Sequence, residues 1–296
     1  MSKGYRKYVH FGTSTWAYEG WKGIVYFKEY PKYRFKKDCL AEYAADDRFS
    51  TVGIDLFYYQ PPTEPLLEHY ASQLPADFKT CSKVWEEITI YRFPQKHHHH
   101  EMKEKLNPNF LNDKIFMNTI LKPHRNVFME HTGPFIFEFS YIKKNDMTVT
   151  EFANKLDQFF IKLPTDFQYS VEIRNKNFLV PEYFEVLRKH NVAHVFNQWS
   201  YMPPVGSQLK LDSVTADFMV ARMLTPSGMA YNETVKKFSP YDKIVEEQPA
   251  ARQDMLKLIE LSIKEKKYAY LLINNRLEGC APLTIESMEK MAEERF

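Results

Sequence analysis

The chain has 296 residues, 44% of them hydrophobic and 26% charged, which is the balance of a folded globular protein and excludes a disordered or fibrous one. Forty basic residues stand against 38 acidic ones, a formal net charge of +2, which argues against a protein dedicated to coating a polyanion. Aromatic residues make up 16% of the chain, whereas only nine residues are glycine.

Taken in chain order, short apolar runs read as strands at 9–14, 51–55, 78–83, 134–139, 169–174, 192–197, 218–222 and 268–274. Amphipathic stretches read as helices at 150–162, 181–190, 251–266 and 282–294. Thr150 is the expected N-cap of the first of these, and Pro181 suits the first turn of the second. Strands alternating with helices imply parallel strands joined by crossovers. Eight of them in about 250–300 residues match a TIM-type (β/α)8 barrel. The expectation is one α/β domain over residues 1–296, with room for irregular connections. A doubly wound nucleotide-binding sheet is disfavoured, because no Gly-rich turn follows the first strand. The segments 84–106 and 223–250 are the long connections, both expected over the C-terminal face, where barrels carry their chemistry.

Cys39, Cys81 and Cys280 are odd in number and far apart, with no CxxC. That spacing argues against a disulfide framework or a structural zinc, and for a reducing, cytoplasmic location. The opening Met-Ser-Lys-Gly-Tyr-Arg-Lys lacks the apolar core of a signal peptide. No run of 18 or more apolar residues suggests a membrane span.

Several motifs form a coherent set. Gly12-Thr13-Ser14, Trp16, Tyr18, Trp21, Gly23 and Tyr26 resemble the opening signature of the YecE-like family, domain of unknown function family 72. Val52-Gly53-Ile54-Asp55 with Tyr58-Tyr59 and Pro62 is similar to its second-strand motif. Val171-Glu172-Ile173-Arg174 with Phe178 is similar to its Glu-x-Arg motif, and Asn274-Asn275 with Gly279, Ala281 and Pro282 to its closing one. The resemblance covers most of the chain and implies a TIM-type barrel. It implies no reaction, since no general activity is established for the family. The chain also departs from the pattern: Gly53, Asp55, Ile90, Glu138 and Asn197 stand where other residues are usual, and Met223-Leu224 replaces a His-Gly pair.

Side chains alternate along a strand. Val171 and Ile173 should face the helices, which points Glu172 and Arg174 to the barrel axis. Glu138 is opposed to Phe137 and Phe139 in the same way. Two inward carboxylates could divide acid and base roles, which makes Glu172 and Glu138 the catalytic candidates. The competing reading is a structural ion network in which Arg174 neutralises both. Lys83, Arg174 and Arg222 end three strands and could form a cationic ring for phosphate, sulfate or carboxylate. Asn274, Trp16, Asp55 and Tyr58 complete the ligand-binding candidates. Asn275 reads equally well as a turn residue. Cys81 faces the same way as Lys83 but has no evident His partner, and reads as core.

No nucleotide-cofactor motif is present, nor an HExxH, P-loop or GxSxG pattern. A divalent metal is open, with Asp55, Glu138 and Glu172 as oxygen donors if their strand ends converge. His97-His98-His99-His100 reads as a solvated loop rather than a metal site. Residues 16–35 hold eight aromatics interleaved with Lys and Arg. Most of them read as a hydrophobic cluster closing the loop over the barrel. The first functional reading is an enzyme, a hydrolase or lyase, for a polar anionic small molecule such as a sugar or nucleoside phosphate. The alternatives are a nucleic-acid-binding barrel or phosphodiesterase, and a non-catalytic ligand-binding scaffold.

Overall fold

In the computed structural model, which describes residues 4–95 and 100–296, eight parallel strands form a single sheet in the order β1-β8-β7-β6-β5-β4-β3-β2. The strands are β1 Val9–Thr13, β2 Thr51–Ile54, β3 Lys79–Lys83, β4 Thr132–Phe139, β5 Tyr169–Ile173, β6 Ala193–Gln198, β7 Phe218–Met223 and β8 Tyr268–Ile273. Among the described residues, the helices of eight or more residues are α1 Glu64–Ala71, α2 Val149–Phe160, α3 Pro181–Lys189, α4 Tyr231–Phe238, α5 Pro249–Glu265 and α6 Ala281–Arg295. This is a TIM-type (β/α)8 barrel, as the alternating pattern implies.

The sheet closes through a seam rather than a ladder. Ser50 N–H donates to the Phe11 carbonyl at 2.9 Å. Across the same gap the Tyr43 hydroxyl accepts from Thr13 N–H at 3.0 Å and donates to the Thr51 carbonyl at 3.2 Å. Gly12 makes the approach possible, since a Cβ there would run into the Thr51 carbonyl. A second irregularity lies between β3 and β4, whose register shifts between Thr80 and Ser82 opposite Gly133-Pro134. Proline has no N–H for a ladder, so a central strand tolerates it where pairing slips.

The barrel interior is filled at its lower end by Cys81, Ile136, Ala193, Val195, Ala216, Phe218, Val220, Tyr270 and Leu272. Two larger aromatic-rich clusters pack outside it. One holds Val171 and Ile173 with Phe152, Phe160 and Tyr183, so the outward face of β5 is the apolar one. The other holds Trp16, Trp21, Tyr26 and Phe35 of the first loop. Trp21 Nε1–H donates to Asn275 Oδ1 at 3.1 Å, and the Tyr26 hydroxyl donates to the Trp16 carbonyl. Phe27 and Tyr33 alone of the eight aromatics are largely exposed. The loop is therefore mostly a packed cover.

Two local expectations need correction. The N-cap of α2 is Thr148, not Thr150. Its hydroxyl accepts from Glu151 N–H while Glu151 reaches back to Thr148, a capping box. The connection after β3 runs on to residue 131, because β4 begins at Thr132. Within it residues 113–127 are helical, with a π-turn at Met117–Leu121 just before Pro123. A widened turn relieves the clash a proline ring makes with the preceding turn. His97, His98 and His99 lie outside the described residues. No described helix is long and apolar enough to cross a membrane.

Candidate functional site

The alternation that buries the interior also builds the site above it. Lys83, Glu138, Asn197, Arg222 and Asn274 each stand two residues beyond an inward apolar residue: Cys81, Ile136, Val195, Val220 and Leu272. Two residues later along a strand is the same face, one layer nearer the C-terminal mouth. Glu138 and Glu172 are directly in register between β4 and β5. Asp55 follows β2 as the first residue of a short 3-10 turn that also carries Tyr58.

Arg222 is the centre. Its Nη1 donates to Glu172 Oε2 at 2.6 Å and to Glu138 Oε2 at 2.8 Å. Its Nη2 donates to both oxygens of Asp55, at 3.0 and 3.2 Å. Lys83 Nζ pairs with Glu138 Oε2 at 2.9 Å. Arg174 Nη2 lies 3.1 Å from Glu138 Oε2, and its Nη1 lies 2.6 Å from Glu172 Oε1. That last contact is an ion pair whose alignment does not make a hydrogen bond. Three cations thus meet three carboxylates, so the mouth is formally neutral. Aromatic faces flank two of the cations: Lys83 Nζ sits 4.0 Å from the Tyr58 ring centroid, and the Arg174 guanidinium 4.4 Å from that of Trp199.

The electrostatics follow from this geometry. Burial works against ionisation of Glu138, but Lys83, Arg174 and Arg222 overcome it and hold its carboxyl well below the usual range. Burial likewise works against the Arg222 charge, and Asp55, Glu172 and Glu138 outweigh it, so the guanidinium is held more firmly charged than usual. The Tyr58 phenol is pushed up by burial and by the nearby Glu138 carboxylate. Cys81, in the interior, has its thiol pushed up to about 12 by burial, which makes it an inert core group.

Beside the network opens a cleft of about 800 Å³. Its walls include Tyr141 after β4, Arg174 and Lys176 after β5, and Trp199, Ser200 and Tyr201 after β6. Tyr141 and Tyr201 are largely exposed. The segment carrying Trp199 is clamped to the chain after β7. The Gln198 carbonyl accepts from the N–H groups of Leu224 and Thr225 at 3.0 and 3.1 Å, and the Ser200 hydroxyl donates to the Met229 carbonyl.

Of the sequence candidates, Glu138, Glu172, Lys83, Arg174, Arg222, Asp55 and Tyr58 are brought together. Trp16 is not. It is 4% exposed, edge-on to Tyr70 at 5.1 Å, and belongs to the outer core. Asn274 turns its Oδ1 to Arg276 N–H at 3.0 Å, a local turn contact, while Asn275 accepts from Trp21 and from Ala281 N–H. Asp55, Glu138 and Glu172 do converge, but around the Arg222 guanidinium, which takes the position a dication would need. No group of three or more His, Cys, Asp or Glu among the described residues is arranged to hold a metal ion. Tyr141, Lys176, Trp199 and Tyr201 were not site candidates from sequence. The available signal was their position just past strand ends.

The family model for the protein of unknown function DUF72 matches residues 10–296. The chain belongs to the DUF72 family. Among solved structures, this DUF72 barrel is similar to a DUF72 family protein from Thermotoga maritima, with 20% identity, a TM-score of 0.63, and coverage of 97% of this chain and 99% of that one. It is also similar to a DUF72 family protein from Enterococcus faecalis, with 13% identity, a TM-score of 0.63, and coverage of 97% and 96%. At these identities the likeness is one of fold. No curated protein matches the chain.

Proposed function

We propose that this DUF72 barrel is an enzyme, of hydrolase or lyase type, for a ring-bearing anionic small molecule such as a sugar phosphate or nucleoside phosphate. The observation that supports this reading is the 800 Å³ cleft with Trp199 in its wall and Arg174 stacked on that ring. An indole face takes a sugar or base ring, and a guanidinium takes the phosphate. Arg174 and Lys176 hold the anion. Tyr141, Trp199 and Tyr201 hold the ring. Glu138 and Glu172, which Arg174 joins to the cleft, are the carboxylate pair of this reading. The three buried, unpaired thiols of Cys39, Cys81 and Cys280 agree with work in a reducing cytoplasm.

A ligand-binding barrel without turnover is the second reading. It is favoured by the complete pairing of the six charges at the mouth. A panel of sugar phosphates and nucleoside monophosphates, with the parent sugars and nucleosides, separates the cases by saturation-transfer and phosphorus NMR. Binding of a phosphorylated member with slow chemical change over hours is expected. Trp199→Ala should weaken that binding by roughly tenfold, the loss of a contact worth about 1.4 kcal/mol. Binding without change favours the second reading. Equal binding of the neutral parents removes the anionic ligand.

A further inference from the structure

We propose that an anion enters the cleft together with a proton: Arg174 turns from the two glutamates toward the anion, and Glu172 takes up a proton from solvent. The inference rests on the anionic-ligand reading above.

Reach is the first argument. Of the six charges at the mouth, Arg174 alone lines the cleft. An anion there meets the network through Arg174 and no other member.

Balance is the second. Lys83, Arg174 and Arg222 already face Asp55, Glu138 and Glu172, charge for charge. Lys176, exposed at the cleft wall, offsets one charge of a dianion, and the other is set against this neutral cluster. Like charges at such range disfavour ionisation of one of them.

The third argument is what Arg174 leaves behind. Glu138 keeps Lys83 and Arg222, and its side chain is 15% exposed to water. Glu172 is 0% exposed and has two cationic partners, Arg174 and Arg222, each at 2.6 Å. Arg222 is already shared with Asp55 and Glu138. The other groups facing Glu172 bring no positive charge. Glu138 lies across the ladder on β4. Tyr183 of α3 approaches from the outer side, and its phenol is kept neutral by burial. Asn197 of β6 is committed through Nδ2 to the Ile173 carbonyl at 3.0 Å. A buried carboxylate stripped of one of two cations is the group that protonates. The result is a carboxylic acid that exists only while the anion is bound.

Sulfate is the probe, because it stays a dianion across the pH range and contributes no proton of its own. Calorimetry at one pH in buffers of different ionisation enthalpy counts protons. Uptake of about one proton per sulfate is expected, with affinity rising up to about tenfold for each unit fall in pH. In sulfate-minus-free infrared difference spectra a protonated carboxyl band should appear. Glu172→Gln should bind sulfate with neither the uptake nor the band. If that variant does not fold, the proton count of the wild-type chain decides alone. Binding without uptake, or uptake retained in folded Glu172→Gln, overturns the coupling and leaves the anionic reading standing. Failure of sulfate to bind at all overturns both.

Discussion

Arg222 holds three carboxylates that would otherwise repel one another, and in doing so it is itself kept charged at 2% exposure. Such a group is costly to bury and costlier to orphan: removing one partner of a buried pair destabilises by about 3–5 kcal/mol, because the other charge stays behind. The same residue scale sets the acid limb of stability, through groups far from the mouth. His124 Nδ1–H donates to the Ile120 carbonyl and its Nε2 meets the Ser82 hydroxyl, and His194 meets Tyr183 and Gln208. Both are fully enclosed, and burial pulls each down to about 4 from 6.5. His10 is shifted the same way. A histidine that resists protonation when folded takes the proton when unfolded. Its contribution is complete above pH 6.5 and is lost as pH falls toward 4. Glu138 acts lower: its folded value is below 4.5, so its contribution is present above 4.5 and lost only as pH falls beneath that. Urea unfolding at pH 6.5, 5.5 and 4.5 should show stability falling by up to about 1.4 kcal/mol per pH unit for each buried histidine. His124→Gln should flatten the slope. A pH-independent midpoint across that window would refute the assignment.

At the scale of elements, the β1–β2 seam is the weakest closure of the barrel, and Tyr43 bridges it from the short helix Leu40–Ala44 between those strands. Tyr43→Phe leaves the buried Thr13 N–H and Thr51 carbonyl short of a partner, at a cost of about 1–3 kcal/mol. The shift of the urea midpoint measures it, and a neutral result would mean that the seam is held by Gly12 packing and the Ser50–Phe11 bond alone. Strands were the legible elements. Each apolar run lies within two residues of its strand at both ends, because period-two alternation between an aromatic shell and a barrel interior is written directly in residues such as Val171-Glu172-Ile173-Arg174. The N-cap is legible in the spacing. Thr148 precedes the helix and Thr150 is its second residue, and only Thr148 stands three residues before Glu151 in the capping-box spacing. The seam was not legible, since Tyr43 acts across a gap that no local pattern describes.

On the scale of the whole molecule, the first and last parts of the chain are joined. β1 pairs with β8, and Arg6, just ahead of β1, pairs with Glu289 of α6. Three apolar clusters lie against one closed sheet. One cooperative unfolding transition is therefore expected, with tryptophan fluorescence and far-ultraviolet circular dichroism coincident. Two separated transitions would divide the chain into independent units.

Sequence alone determined where the strands run, which of their faces is apolar, and therefore which charged residues point to the barrel axis. Local alternation and the motif set suffice for that, because both are properties of neighbours along the chain. Only the tertiary structure decided which charge meets which. Asp55, Glu138, Glu172 and Arg222 come from four different strands or their ends, and their distances depend on the curvature and stagger of a closed sheet. The ring of cations read from strand ends is, in three dimensions, a neutral network built around one guanidinium. The cleft likewise exists only where the segments after β4, β5 and β6 meet, and no single stretch of chain encodes it.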